Sequence, residues 1–163
     1  MGPQKLSLKR AVLAGFVATA ILTILMFLAP VVGLPRIDLA SALGKPLAGG
    51  RAYAAPLTGN WWIGLGIFFL FGSVISPYIF AYAYHGLLGS AWLRGIEWAL
   101  FVWVFGGVAV MTMMGLGLDE AHFTHPLGTF ASSLAGHLIY GAVLGGISGS
   151  VYRRISQTQE KHA

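Results

Sequence analysis

The chain has no cysteine and very little charge, and these two absences exclude several classes of protein. Without cysteine it can form no disulfide, thiolate metal site, iron–sulfur cluster or cysteine nucleophile. Charged residues make up only 9% of its 163 positions, whereas a soluble domain carries about 25%. Because a soluble fold of this length still exposes roughly 30% of its unfolded surface to water, this composition excludes an ordinary soluble domain.

A second group of absences concerns catalysis. The sequence contains no glycine-rich phosphate loop, no paired catalytic carboxylates and no Ser-His-Asp arrangement. We therefore expect a protein that is not an enzyme. The net charge of +5 comes from lysines and arginines at the chain ends and beside apolar runs, a pattern typical of membrane anchoring and not of nucleic-acid binding.

Hydrophobic residues make up 56% of the chain and are gathered in four long runs. A transmembrane helix needs about 20 apolar residues, whereas the strands of a membrane barrel would show short alternating segments. The sequence therefore predicts an all-α integral membrane protein with one membrane domain over residues 1–163. The four transmembrane helices are predicted at about residues 11–32, 61–84, 96–118 and 127–152.

Lysine and arginine are shared unequally between the two sides of this predicted membrane domain. The first loop holds three of the ten, and the opposite side holds the others. Because cytoplasmic segments carry the excess of basic residues, we expect both termini in the cytoplasm. The seven residues on that side are Lys5, Lys9, Arg10, Arg94, Arg153, Arg154 and Lys161.

The loop between the first two runs is predicted to begin with a short helix. Asp38 can cap its start, and Gly44 can end it. We expect this helix to be amphipathic and to lie on the outer membrane surface. Its leucines recur at helical spacing: Leu39, Leu43 and Leu47.

Two segments of the chain resemble each other and favour an internal duplication. Residues 68–75 in the second run parallel residues 137–144 in the fourth, with Gly72 matching Gly141. A Gly-Leu loop that ends in aspartate, at Asp38 and Asp119, precedes each segment. The pattern predicts two repeated helical hairpins, and chance similarity between apolar, glycine-containing helices is the alternative.

The fourth run carries a face of small residues. Ser133, Gly141, Gly145 and Gly149 share this face with His137, because each is four residues from the next. Small side chains let another helix approach closely, and such packing drives helix association in lipid. We predict that these four positions pack against another helix of the chain, and binding of a partner protein is the alternative.

His137 is predicted near the middle of the membrane. A buried imidazole needs a hydrogen-bond partner, and the candidates are Thr19, Thr23, Thr112 or a backbone carbonyl. A haem axial ligand or a proton-relay group is the alternative interpretation. Haem is disfavoured because none of the other candidates is at matching depth: His85, His122 and His125.

Two polar clusters lie at opposite ends of the third run. Asp119, His122 and His125 at the outer end have the ligand types that zinc, copper, iron or nickel prefer, although a solvated polar loop at the membrane surface is the favoured explanation. At the inner end Arg94 and Glu97 are predicted to form an ion pair, with His85 nearby. A proton-uptake role for His85 and Glu97 is the alternative there.

Four sequence motifs resemble a known family. They are Gly-Phe-Val-Ala-Thr-Ala from Gly15, Gly-Leu-Pro-Arg-Ile-Asp from Gly33, Trp-Leu-Arg-Gly from Trp92, and Gly-His-Leu-Ile-Tyr-Gly-Ala-Val-Leu-Gly from Gly136. In this order they resemble an uncharacterised family of small bacterial four-helix membrane proteins, and the resemblance covers nearly the whole chain. It implies four helices in a bacterial inner membrane and implies no particular activity.

These observations favour a non-catalytic accessory or structural subunit of a larger bacterial membrane complex. We expect a respiratory oxidase or another electron-transfer assembly as the host, since the loops are short and the helix faces are rich in aromatic residues and glycine. A small transporter or channel using His137 and the terminal polar clusters is the first alternative, and a metal- or haem-binding membrane protein is the second. No cofactor is predicted, and the expected partners are bound membrane lipids and other membrane subunits.

Overall fold

The computed structural model describes residues 6–33, 38–45, 59–110 and 126–160. Within these ranges all regular structure is helical. The helices are α1 (Leu8–Leu28), α2 (Leu39–Gly44), α3 (Gly59–Leu70), α4 (Ser76–Ala83), α5 (Ala91–Val102) and α6 (Pro126–Glu160).

Three short irregular helices extend or join these elements. A 3₁₀ turn, Ala29–Val32, continues α1 and ends at Gly33, whose φ of 80° is the left-handed value that glycine adopts easily. A π-helical turn, Phe71–Ile75, joins α3 to α4, so that Gly59–Ala83 is one continuous helix. A second π-helical segment, Trp103–Val110, continues α5.

Three of the helices are long and apolar enough to cross a membrane. They are Leu8–Val32, Gly59–Ala83 and Phe130–Gly149, with mean hydropathies of 2.5, 2.0 and 1.4. Only 33%, 28% and 22% of these windows are buried inside the protein, so most of each apolar surface faces outward. Such helices need a lipid environment, and they overlap the first, second and fourth predicted spans.

The helices in the third and fourth predicted spans have bounds that differ from those predicted from the sequence. Helix α5 begins at Ala91, before the predicted start at residue 96, because Ser90 precedes it in extended conformation and the charged residues Arg94 and Glu97 belong to the first turns. Residues 111–118 lie outside the described part of the chain. Helix α6 also continues beyond residue 152 to Glu160, since no glycine or proline interrupts the polar residues that follow.

Four helices contribute to one shared apolar core. Helix α1 lies between the Gly59–Ala83 helix and α6, and α5 packs along α6. Small side chains dominate the centre, and the fully buried ones let the helix backbones come close. The residues with no exposed surface are Ala11, Ala14, Ala18, Phe80, Ala99 and Leu144.

The short helix α2 forms where it was predicted, and Asp38 caps it. The Asp38 carboxylate accepts hydrogen bonds from the Ser41 backbone N–H at 3.0 Å and from the Ser41 hydroxyl at 2.7 Å. Helix α2 packs against α3 through small residues, because a side chain on Gly64 would collide with the Ala40 carbonyl. Leu39 and Leu43 are half-buried, and Leu47, the third leucine of the predicted spacing, lies outside the described residues.

We expect Asp38→Ala to loosen α2. Loss of an N-terminal cap costs about 0.5–2 kcal/mol, so amide hydrogen exchange across Leu39–Gly44 should become faster. Asp38→Asn is the matched control, since its amide oxygen can still accept the Ser41 N–H bond. Equal exchange rates in Asp38→Ala and the unmodified protein would show that the cap does not stabilise this helix.

Candidate packing and polar sites

Helices α5 and α6 approach so closely that glycine is required on both. A Cβ atom on Gly95 would collide with the carbonyl oxygen of Gly141, and one on Gly141 would collide with the Gly95 carbonyl and the Ala99 methyl group. Gly145 meets the Ala91 carbonyl in the same way. We call this contact the glycine seam: Ala91, Gly95 and Ala99 of α5 with Gly141, Gly145 and Gly149 of α6.

The seam contains three of the four residues that the small-residue pattern singled out on α6. The fourth, Ser133, lies nearer the start of α6, before the seam, and accepts a hydrogen bond from the Trp103 indole N–H at 3.3 Å. Sequence reasoning missed the matching residues on α5. The signal was present, because Ala91, Gly95 and Ala99 are also four residues apart.

A second glycine contact joins α1 to the Gly59–Ala83 helix. A Cβ atom on Gly15 would collide with the Pro77 ring and the Gly72 carbonyl, and one on Gly72 would meet the Thr19 hydroxyl. Gly72 and Gly141, which the sequence similarity paired, each lie at a close contact between two helices. The contacts differ in kind, because Gly141 meets Gly95 reciprocally whereas Gly72 meets Thr19.

The π-helical turn before Pro77 leaves one backbone carbonyl without its usual donor. In this turn the Ser76 N–H donates to the Phe71 carbonyl, five residues back. The next donor in the same register would be residue 77, which is proline and has no N–H. The Gly72 carbonyl therefore needs another partner, and Tyr140 of α6 supplies it by donating its hydroxyl at 2.6 Å.

Tyr140 is part of a small hydrogen-bonded group that joins three helices. Its hydroxyl lies 3.3 Å from the Ser76 hydroxyl, which accepts a hydrogen bond from the Trp98 indole N–H at 3.0 Å. Tyr140 and Trp98 are buried. Because water is absent from the hydrocarbon layer, these bonds satisfy groups that would otherwise be costly to bury.

His137 lies on the same side of α6, one turn before Tyr140, and is half-buried. Its Nδ1 atom is 2.9 Å from the Ser133 carbonyl oxygen of its own helix. Two of the expected partners are engaged elsewhere, since Thr19 and Thr23 each donate to a carbonyl within α1 at 2.8 Å. Thr112 lies outside the described residues. Of the partners expected from the sequence, the one found is a backbone carbonyl, and it belongs to α6 itself.

The inner polar residues Arg94 and Glu97 do not form the predicted ion pair. Within the described ranges both bind the backbone of the turn that precedes α5. Glu97 accepts the Leu88 N–H at 2.8 Å, and Arg94 donates to the Gly89 carbonyl at 3.1 Å. Gly89, at a φ of 79°, turns the chain back toward α5 and brings these backbone groups within reach of the two side chains. The side chains therefore satisfy the backbone of the turn instead of pairing with each other.

The third member of the inner cluster, His85, lies against Tyr84. The two ring centroids are 5.7 Å apart, and the Arg94 guanidinium lies 4.7 Å from the centre of the Tyr84 ring. His85, Arg94 and Glu97 are thus at the same end of the molecule, and Arg94 is held by a cation–π contact as well as by a hydrogen bond. The arrangement fixes the turn between α4 and α5.

The opposite end of the molecule contains a recess of ≈ 30 Å³ between α1, α2 and α3. Asp38 and Trp61 line it, and the Trp61 indole N–H lies 3.2 Å and 3.4 Å from the two Asp38 carboxylate oxygens. A space of this size holds one or two water molecules and is far smaller than a ligand pocket. The other lining residues are mainly apolar and include Met26, Phe27 and Phe68.

The predicted outer metal ligands Asp119, His122 and His125 lie outside the described residues. No group of three or more histidine, aspartate or glutamate side chains that could hold a metal ion occurs in the part of the chain that the structure describes.

We expect Gly145→Ala to destabilise the protein and Gly146→Ala to leave it unchanged or slightly stabilised. The Cβ at position 145 meets backbone atoms of α5, which should cost about 1–3 kcal/mol, whereas the one at position 146 meets no atom within 4 Å. Thermal unfolding in detergent, followed by circular dichroism, compares the two. Equal melting temperatures would contradict the seam.

Tyr140→Phe should lower the free energy of unfolding by about 1–3 kcal/mol, because the Gly72 carbonyl loses its donor. The second arm of a double-mutant cycle is Pro77→Ala, which restores an N–H at residue 77. If proline is the reason that Tyr140 is needed, the loss caused by Tyr140→Phe is smaller in the Pro77→Ala background. A loss of the same size in both backgrounds would show that the two residues act independently.

Comparison with known proteins places the chain in a family. A family model described as a family of unknown function (DUF6789) matches residues 7–162, which is almost the whole sequence. No curated protein and no solved structure matches. The expectation of an uncharacterised family is confirmed, and the chain belongs to the family of unknown function DUF6789.

Proposed function

We propose that this protein is a non-catalytic accessory or structural subunit of a larger membrane complex in a bacterial inner membrane. A respiratory oxidase or another electron-transfer assembly is the proposed host. The observation that carries the proposal is the use of the described polar groups. Tyr140, Ser76 and Trp98 join helices to one another, and Arg94 and Glu97 hold a turn. Because these side chains position helices and a turn, they support a structural role in an assembly.

Four transmembrane spans with both termini in the cytoplasm are part of this proposal. Helix α5 and the π-helical segment after it supply 12 and 8 helical residues to the third predicted span. The contacts of Gly15 with Pro77 and of Gly149 with Ala91 bring the start of α1, the turn before α5 and the end of α6 to one end. That end carries Lys9, Arg10, Arg94, Arg153 and Arg154, which supports its assignment to the cytoplasmic side.

Two repeated hairpins are also proposed. The glycine contact between α1 and the Gly59–Ala83 helix and the contact between α5 and α6 support this relation. Each hairpin would bury its own glycine pair, and the two hairpins would meet through α1 and α6.

Helix α6 offers a contact region beyond the membrane. It has 35 residues, of which Phe130–Gly149 is the apolar part. Residues 150–160 extend the helix by roughly 16 Å, at 1.5 Å per residue. This extension is mostly polar and includes Arg153 and Arg154. It supplies a surface for neighbouring subunits and for anionic lipid headgroups, which are the proposed bound lipids.

A transporter or channel receives less support. It would need a hydrated path from His137 to the inner residues His85 and Glu97. Phe80 and Leu144, which have no exposed surface, fill the described core between His137 and these inner residues. Haem binding meets a different difficulty. His85 lies at the turn after α4 and His137 lies one turn from Tyr140, so the two histidines are at different depths.

Purification from the native membrane tests the proposal. The tagged protein should be extracted with its surrounding lipids in polymer-bounded discs, and its companions should be identified by mass spectrometry. We expect other integral membrane subunits in fixed stoichiometry, and the same set when one of those subunits carries the tag. Recovery of this chain alone, in any number of copies, would refute the proposal.

A further inference from the structure

The buried apolar side chains of the described residues form two separate clusters. The main cluster joins α1, α4, α5 and α6, and it includes Phe80 and Leu144. The second cluster is small and consists of Ala40 of α2 and Trp61 of α3, with Leu65 packed against them. The described residues therefore contain two packing units of unequal size.

Helices α2 and α3 pack on each other, and we call them the α2–α3 unit. The two buried residues of α3 are Trp61 and Gly64. The Trp61 indole N–H donates to Asp38, which caps α2. A Cβ atom on Gly64 would collide with the Ala40 carbonyl of α2. The buried side of α3 is thus directed at α2 and not at the main cluster.

The recess of ≈ 30 Å³ lies between this unit and α1, whose Thr23 and Phe27 form part of one wall. Contacts of α3 with the main cluster and α1 occur in its last turn. Phe68 packs against the main cluster, and the Phe69 and Phe16 ring centroids are 6.1 Å apart. The α2–α3 unit is therefore held near one end of α3, with incompletely filled space beside its preceding turns.

The π-helical turn Phe71–Ile75 follows this end of α3 directly. Its hydrogen-bond ladder is interrupted, because Pro77 has no N–H and the Gly72 carbonyl accepts the Tyr140 hydroxyl instead. Helices bend most readily at prolines and at π-helical turns. This turn is therefore the point at which the Gly59–Ala83 helix bends most easily.

Helix α4, on the other side of the turn, is fixed to the main cluster. Phe80 has no exposed surface, and Ser76 accepts a hydrogen bond from the Trp98 indole N–H at 3.0 Å. Gly72 itself lies against Thr19 of α1, where a Cβ atom would find no room. Bending at the turn therefore displaces α3 and leaves α4 in place.

We infer that the α2–α3 unit is a flap that moves as one body about the π-helical turn and changes the width of the recess. Asp38 and Trp61 belong to the flap and move together, whereas Thr23 and Phe27 stay with α1. The motion therefore controls how far the hydrogen-bonded pair of Asp38 and Trp61 is open to small molecules such as water. The inference goes beyond the proposed function, because it concerns motion within one chain.

Spin labels on paired cysteines test the flap, since the natural chain has no thiol. Ile24→Cys with Ile63→Cys joins α1 to α3, and the matched control pair, Leu13→Cys with Ile79→Cys, joins α1 to α4. The exposed fractions of these four side chains lie between 47% and 62%. A third pair, Leu43→Cys with Ile63→Cys, lies inside the α2–α3 unit.

Pulsed electron paramagnetic resonance in lipid discs measures the distance distribution of each pair. The α1–α3 pair should give a distribution about twice as wide as the control pair and the pair inside the unit. Equal widths for the α1–α3 and α1–α4 pairs would overturn the motion. A wide distribution inside the unit would show that α3 moves without α2, which would overturn the flap as a single body.

Pro77→Ala tests the position of the hinge. The substitution restores an N–H to the turn, so bending there breaks one more hydrogen bond, and the α1–α3 distribution should narrow toward the width of the control pair. An unchanged control pair shows that the main cluster is preserved, and if that pair widens the comparison in the natural background alone decides. With the control pair unchanged, an α1–α3 width unaffected by Pro77→Ala would overturn the hinge, whatever subunits co-purify from the native membrane.

Discussion

A backbone carbonyl in the membrane must find a donor, and the arrangement of these helices depends on that requirement. Pro77 removes the donor that the π-helical turn would offer to Gly72, and Tyr140 reaches across from α6 to replace it. A single phenol thus fixes α6 against the Gly59–Ala83 helix. Trp98 joins the same group through Ser76, so the position of α5 is tied to the same turn.

Close packing is the second constraint, and it acts through glycine. Lipid tails are as apolar as the helix surfaces, so apolar side chains gain little by turning inward. What holds the helices together is the approach of backbones at Gly95 and Gly141 on one side and at Gly15 and Gly72 on the other. Many large apolar side chains are left on the outside, and Phe16, Phe71 and Phe101 are among the exposed ones.

Much of this architecture follows from local patterns in the sequence. The apolar runs predict helices, the four-residue spacing of Gly141, Gly145 and Gly149 predicts a packing face, and Asp38 predicts the start of α2. These features depend on residues that are close in the chain. The bond from Tyr140 to Gly72 could not be predicted in the same way, since it depends on how two distant helices are aligned.

The prediction for the inner cluster was wrong for a related reason. Spacing alone favoured an ion pair between Arg94 and Glu97, because residues three apart share a helix face. The turn before α5 exposes an N–H at Leu88 and a carbonyl at Gly89, and these groups lie within reach of the two side chains. Which acceptor a side chain chooses depends on the shape of the neighbouring turn, which the spacing rule does not include.

The six fully buried residues at the centre have a consequence for the membrane that contains them. Ala11, Ala14, Ala18, Phe80, Ala99 and Leu144 leave no exposed surface, and they are all apolar. Ions and protons cross a bilayer through chains of water or of titratable groups. These six side chains supply neither, so close apolar packing alone fills the space around them in the described core.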